Sequence, residues 1–138
     1  ALTLSDVSMI NFCKAGLEAM IGDGLDYLFA NEEEAQTWCG TTDLDAIIGQ
    51  LSPLAKTVCL TRGPKGCIVV QGQQRIEVPA VPTQAVDTNG AGDAFVGGFL
   101  SQLIQEKDLS ECVRAGHFAS RVIIQRSGCT FPKECNFV

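Results

Sequence analysis

The segment Val86-Asp-Thr-Asn-Gly-Ala-Gly-Asp-Ala-Phe sets two glycines, Gly90 and Gly92, just ahead of Asp93, where a long apolar run begins. Glycines at a helix start remove the side chains that would hold an anion off the backbone. The N–H groups of Gly90, Ala91 and Gly92 can then approach a phosphate-sized oxyanion. The helix dipole favours negative charge at that end, for a bound anion and for Asp93 in the first turn alike. A carboxylate sharing space with an oxyanion site is what phosphoryl transfer to an alcohol requires. One group accepts the hydroxyl proton while the donors hold the charge on the transferring group. The same residue types also suit a plain glycine-rich turn with an ordinary helix-start aspartate, and spacing alone leaves both readings open. A dinucleotide fingerprint fits poorly, because Phe95 stands where GxGxxG needs a third small residue. The P-loop pattern GxxxxGK[ST] does not occur.

Three further places carry polar residues with a chemical use. Asn31 and Glu34 have capping-box spacing, which by itself only satisfies orphan amides at a helix start. In Thr61-Arg-Gly-Pro-Lys-Gly, the glycines Gly63 and Gly66 relieve the backbone of a tight turn and Arg62 and Lys65 bring positive charge. Arg62 there suits a phosphate partner or solvent equally well. His117, the only histidine, lies on a mostly apolar helical run, where a packed or surface role is the ordinary one.

The elements that must position these groups alternate between strand and helix patterns. Ser5 to Met20 has loosely helical apolar spacing, broken by Ile21-Gly-Asp-Gly. Tyr27-Leu-Phe-Ala reads as a buried strand running into a helix that opens at Asn31. A helix over Leu44 to Leu51 must stop before Pro53. Thr57-Val-Cys-Leu-Thr and Cys67-Ile-Val-Val read as strands joined by the 61–66 turn. Arg75-Ile-Glu-Val is a half-exposed strand after Gly72, so an antiparallel hairpin is expected there. Two long helices close the chain. One starts near Gly90, with Phe95, Phe99, Leu103 and Ile104 as apolar positions, and should be largely buried. The other is capped at Asp108, with Cys112, Ala115, Ala119 and Ile123 on one face. Strands alternating with helices mean an α/β architecture, and no linker or repeat divides the 138 residues, so one domain is expected.

Composition excludes several classes. Sixteen acidic against ten basic residues give a net charge of -6, so no extended basic surface exists to neutralise nucleic-acid phosphates. The seven cysteines are odd in number and lack a CxxC pair, which reads as reduced, mostly buried thiols and not a zinc site or disulfide framework. No stretch reaches the ~18 apolar residues of a membrane helix, and no signal-like segment opens the chain, so a cytoplasmic setting is expected.

Residues 87–100, DTNGAGDAFVGGFL, resemble the DTxGAGD signature of the ribokinase-type carbohydrate and nucleoside kinases without a mismatch. Similarity to the adenosine kinases within that family extends through ANEEEA (30–35), RAGHFASRVII (114–124) and SGCTFP (127–132). The resemblance implies a Rossmann-like layered sheet flanked by helices, the C-terminal part of a ribokinase-like fold. Residues 1–138 would be one ATP-binding domain of a longer kinase, whose acceptor-binding residues and small β-sheet lid precede it. It further implies Asp93 as catalytic base and Gly90, Ala91 and Gly92 as the anion hole. ATP contacts would come from Asn31, Glu34, Thr61, Gly63, Gly66, Asn89 and His117, with Arg62 as a further phosphate partner. Glu34 would order Mg2+ through water, and Asp87 with nearby carbonyls would frame a monovalent-cation site of the K+ type. The implied reaction transfers phosphate from MgATP to a hydroxymethyl group, adenosine to AMP by preference. A sugar acceptor, or a nucleotide-binding module without chemistry, is the alternative.

Overall fold

The computed structural model describes residues 1–132. The described residues pack as two compact units, one of residues 1–63 and 67–77 and the other of residues 64–66 and 78–132.

The first unit is built on strands β1 (Leu2–Thr3), β2 (Leu25–Asn31), β3 (Ala55–Thr61), β4 (Cys67–Gln71) and β5 (Gln74–Val78), adjacent in that order in one sheet. β1, β2 and β3 are parallel, and β3 and β4 are antiparallel. The two residues between β4 and β5 leave room only for a hairpin, since a parallel return needs a crossover of a dozen or more residues. Helix α1 (Val7–Ile21) makes the crossover from β1 to β2, and α2 (Glu32–Cys39) and α3 (Leu44–Leu51) the one from β2 to β3.

Local signals set most of these boundaries. Asp6 caps α1 by accepting from the Ser8 and Met9 amides, and Gly22, at φ +55°, ends it in a conformation that suits glycine. Asp43 caps α3, and Pro53 converts its continuation into a short 3-10 turn over Ser52–Leu54. Alternation then sorts the sheet. Leu28 and Ala30 of β2, Val58 and Leu60 of β3, and Ile68 and Val70 of β4 are cross-strand partners on one face. They form a single core with Ile10, Leu17, Trp38, Ile47 and Leu51 from the three helices. Phe29, Cys59, Cys67 and Val69, at the alternate positions, are buried as well. Burial on both faces explains why β2 to β4 read as continuous apolar runs.

The second unit consists chiefly of α4 (Ala91–Leu103) and α5 (Leu109–Ile124). Asp108 caps α5 by accepting from the Glu111 amide at 2.8 Å. The helices approach through two glycines. A Cβ on Gly98 would lie 2.5 Å from the Ala115 carbonyl oxygen, and one on Gly116 would lie 2.7 Å from the Phe95 ring. Phe99, Cys112 and Val113 are fully buried there. The expectation of a largely buried α4 holds for one side only. Ile104, counted among its apolar positions, is the C-cap and 82% exposed, because at 3.6 residues per turn it falls on the side opposite the buried Phe95.

The cysteines also depart from expectation. The six described ones are free thiols, but only Cys59, Cys67 and Cys112 are buried, while Cys13 and Cys129 are exposed; Cys135 lies outside the described residues. Cys13 sits at a break in the regular turn of α1, and Cys129 in the loop after α5. Burial pushes the Cys67 thiol up to about 12 and raises that of Cys112, so little nucleophilic thiolate forms at either. Brief treatment of the native protein with iodoacetamide at mildly alkaline pH is therefore expected to alkylate Cys13 and Cys129 first. Cys59, Cys67 and Cys112 should react only after denaturation, as peptide mass spectrometry would show. Equal rates at Cys67 and Cys129 would contradict this packing.

Candidate active site

In the first unit, the polar motifs meet at the C-terminal ends of two neighbouring parallel strands, the edge where open α/β sheets hold their ligands. Asn31 and Thr61 are the last residues of β2 and β3 and direct register partners. Asn31 then caps α2. Its Oδ1 accepts from the Glu34 amide at 2.8 Å, while Glu34 Oε2 accepts from the Asn31 amide at 2.9 Å and Oε1 from its Nδ2 at 2.7 Å. The expected capping box is thus complete, and Glu34 is only 6% exposed. Arg62 has a carboxylate partner of its own in Glu32, Nε to Oε1 at 3.4 Å, so a phosphate would compete with that ion pair.

Among the described residues, no group of three His, Cys, Asp or Glu side chains is placed to hold a metal. The Mg2+ that the family resemblance implies would still fit Glu34, because Mg2+ keeps several waters and takes few protein ligands alongside substrate phosphates. A buried carboxylate fixed by Asn31 suits contact through water better than direct ligation.

In the second unit, α4 begins at the glycine-rich segment, as expected for a helix starting near Gly90. Gly90 is the cap residue, at φ +76°, and among the described residues no side chain caps this end. The Ala94 amide closes the first helical bond on the Gly90 carbonyl at 2.9 Å, and the Ala91 amide reaches the Thr88 carbonyl at 3.2 Å. Gly92 and Asp93 occupy the second and third helical positions, where amides have no carbonyl within the helix to bond. Of the three residues expected to form the anion hole, Ala91 has an amide already engaged within the loop.

The two glycines differ in cause. A Cβ on Gly90 would meet Cys129 at 3.2 Å, whereas one on Gly92 would meet no packing neighbour among the described residues within 4 Å. Packing among the described residues thus explains the first glycine but not the second. Asp93 is exposed, and it shares with Gly90 a cavity of about 390 Å³, a volume typical of small-molecule sites. Ala94, Gly97, Ser101, Ile123, Cys129 and Phe131 also line it.

Asp87 closes the loop before α4. Its Oδ1 accepts from the Asn89 amide at 3.0 Å and its Oδ2 from the Gly128 amide at 3.3 Å. These two donors hold its carboxyl below the ordinary aspartate range. A carboxylate has about four lone-pair sites, so these bonds leave capacity for a cation. Asn89 is exposed. Gly66, at φ +95°, has a requirement internal to this unit, since a Cβ there would lie 2.2 Å from the Val78 carbonyl oxygen. Its glycine is explained by backbone packing whether or not a phosphate lies nearby.

His117 packs against Phe95, ring centroids 5.6 Å apart, and is not among the residues lining the cavity of Asp93. Burial depresses its pKa below the usual imidazole value of 6.5. As pH falls, the unfolded chain then binds this proton before the folded one, so the residue's share of stability is present above about pH 6.5 and lost below it. Thermal melts from about pH 8 to about pH 5 are expected to show a smaller acid-side loss of Tm for His117→Gln than for wild type. A constant offset between the two would mean that His117 is not held neutral.

Sequence reasoning missed the rest of the cavity wall. Gly97, Ser101 and Ile123 carry no chemical signal, and Cys129 and Phe131 stand out only as part of SGCTFP.

Among the described residues, no helix is long and apolar enough to cross a membrane. The profile of the pfkB family carbohydrate kinases matches residues 1–135. Adenosine kinase 1 of Arabidopsis thaliana is 44% identical over 128 residues, covering 82% of this chain and 37% of that protein. The crystal structure of a probable sugar kinase from Rhizobium etli superposes with a TM-score of 0.88 at 30% identity, covering 94% of this chain and 40% of that one. Anopheles gambiae adenosine kinase in complex with P1,P4-di(adenosine-5) tetraphosphate gives 0.80 at 38% identity, over 95% of this chain and 44% of that one. The chain thus spans well under half the length of these relatives, and its sheet flanked by helices has the ribokinase-like architecture. It belongs to the pfkB family of carbohydrate kinases.

Proposed function

We propose that these residues are the nucleotide-binding, C-terminal part of a longer ATP-dependent kinase that phosphorylates a nucleoside, with adenosine to AMP as the preferred reaction. One observation carries this reading: an exposed Asp93 carboxylate shares a cavity with Gly90, the cap residue of a helix start that no described side chain caps and whose second residue, Gly92, has no packing reason among the described residues to be glycine. In the proposed reaction, Asp93 accepts the proton of the 5'-hydroxyl as that oxygen attacks the γ-phosphorus and ADP leaves. Donors at Gly90, Ala91, Gly92 and Asp93 stabilise the charge on the transferring group, those of Gly92 and Asp93 foremost.

Asn31, Glu34, Thr61, Arg62, Gly63, Gly66, Asn89 and His117 are proposed as nucleotide contacts. Mg2+ brought with ATP would neutralise phosphate charge, with Glu34 reaching it through water, and Asp87 would frame a monovalent-cation site. Described cysteines outside any disulfide suit a reducing compartment such as the cytoplasm.

The likeness to a probable sugar kinase favours a second reading, phosphorylation of a sugar hydroxymethyl group. Incubating the complete protein with MgATP and a panel of nucleosides and sugars, with products separated by chromatography, distinguishes the two. AMP as the best-formed product supports the first. ATP binding without transfer to any acceptor would leave a binding module and overturn both.

A further inference from the structure

Ser120 lies within α5, a turn before its end, where a serine hydroxyl ordinarily bonds to solvent or back to the carbonyl four residues earlier. Here it crosses to the neighbouring helix and donates to the Ala91 carbonyl at 2.8 Å. So short a side chain reaches only because the helices nearly touch, at Gly98 against the Ala115 carbonyl and at Gly116 against Phe95. Two further bonds fasten the same region to the end of α5. The Ile124 carbonyl accepts from the Val86 amide at 2.7 Å and from the Asp87 amide at 3.2 Å.

The carbonyl of Ala91 and the N–H of Gly92 belong to one planar, conjugated peptide unit. A donor on that carbonyl fixes the plane in which the N–H points. It also draws charge towards the oxygen, which makes the N–H a stronger donor. We propose that Ser120 is a positioning residue for phosphoryl transfer, orienting and polarising the Gly92 amide from behind through the Ala91–Gly92 peptide. This rests on the kinase reading, in which the Gly92 amide faces the transferring phosphoryl group. The benefit belongs to the transition state, where charge on that group must be held in a defined place.

The test uses the complete protein carrying Ser120→Ala or Ser120→Thr. Ser120→Ala is expected to lower kcat by about threefold to tenfold while KM for ATP stays within about twofold, since one amide is weakened and not removed. Ser120→Thr, which keeps the hydroxyl, should recover most of the loss. With glycine-selective isotope labelling, the Gly92 amide proton should move upfield in Ser120→Ala and stay near its wild-type position in Ser120→Thr, a response that loosened packing alone would not sort by hydroxyl. Unchanged kcat, threonine no better than alanine, or an unmoved Gly92 resonance each overturns the proposal. Should the wild type transfer no phosphate at all, the kinase reading falls. The Ser120 to Gly92 coupling is then decided by the amide resonance alone.

Discussion

Asp93→Asn in the complete protein is expected to lower kcat by about 10²- to 10⁴-fold with ATP affinity changed by less than about tenfold. Asparagine matches aspartate in shape and keeps an oxygen for hydrogen bonding, but it cannot take a proton from an attacking hydroxyl. Asp93 is exposed in the first turn of α4. Removing its charge therefore strips no buried partner and forfeits only the favourable interaction with the helix dipole, about 0.3 to 1 kcal/mol. Loss of turnover with little change in Tm separates a chemical role from a structural one. Steady-state kinetics, calorimetric ATP titration and a thermal melt on the same preparation measure all three. Turnover within a few-fold of wild type would remove Asp93 as the base.

Features decided over a few residues were legible in the sequence. The Asn31 and Glu34 pair, the Asp108 cap, the stop at Pro53 and the glycine break at Gly90 all follow from bonds or φ values inside one turn of chain, and all are present. Continuous apolar runs gave β2, β3 and β4, because strands buried on both faces need no alternation. β1 escaped notice: two residues, Leu2 and Thr3, carry no periodicity, and only their pairing with Leu28 and Phe29 makes them a strand.

What the sequence concealed depends on neighbours far along the chain. Gly97 and Gly98 are adjacent and both line the cavity, yet a Cβ on Gly98 would press on Ala115 while one on Gly97 would meet none of the described packing neighbours. Cys129 reads as one more small apolar residue until the loop after α5 brings it over Gly90. Ser120 looks like any helix-surface serine until its partner turns out to be Ala91, 29 residues earlier. The same limit applies to Gly66, whose place in a phosphate-loop pattern is matched by a steric need for glycine beside Val78. A motif thus names a position without saying whether a ligand or the fold requires it.

Gly92→Ala separates those two causes. The position is helical, and among the described residues its missing Cβ would meet no packing neighbour within 4 Å. Alanine there should fit the backbone unstrained and hold or raise stability, by up to about 1 kcal/mol, through better helix propensity. If a phosphoryl group occupies that space, the methyl keeps it from the amides, and kcat/KM should fall by about 10²- to 10³-fold, comparable to losing an oxyanion-hole donor. Gly98→Ala is the matched control. Its Cβ would press on the Ala115 carbonyl from 2.5 Å, so it should cost about 1 to 3 kcal/mol of stability. Melting curves beside kinetics for the two variants should therefore diverge, one losing catalysis with the fold intact and the other losing the fold first. A Gly92→Ala enzyme with unimpaired kcat/KM would mean that no anion approaches the start of α4, and Asp93 would then have no transferring group to act beside.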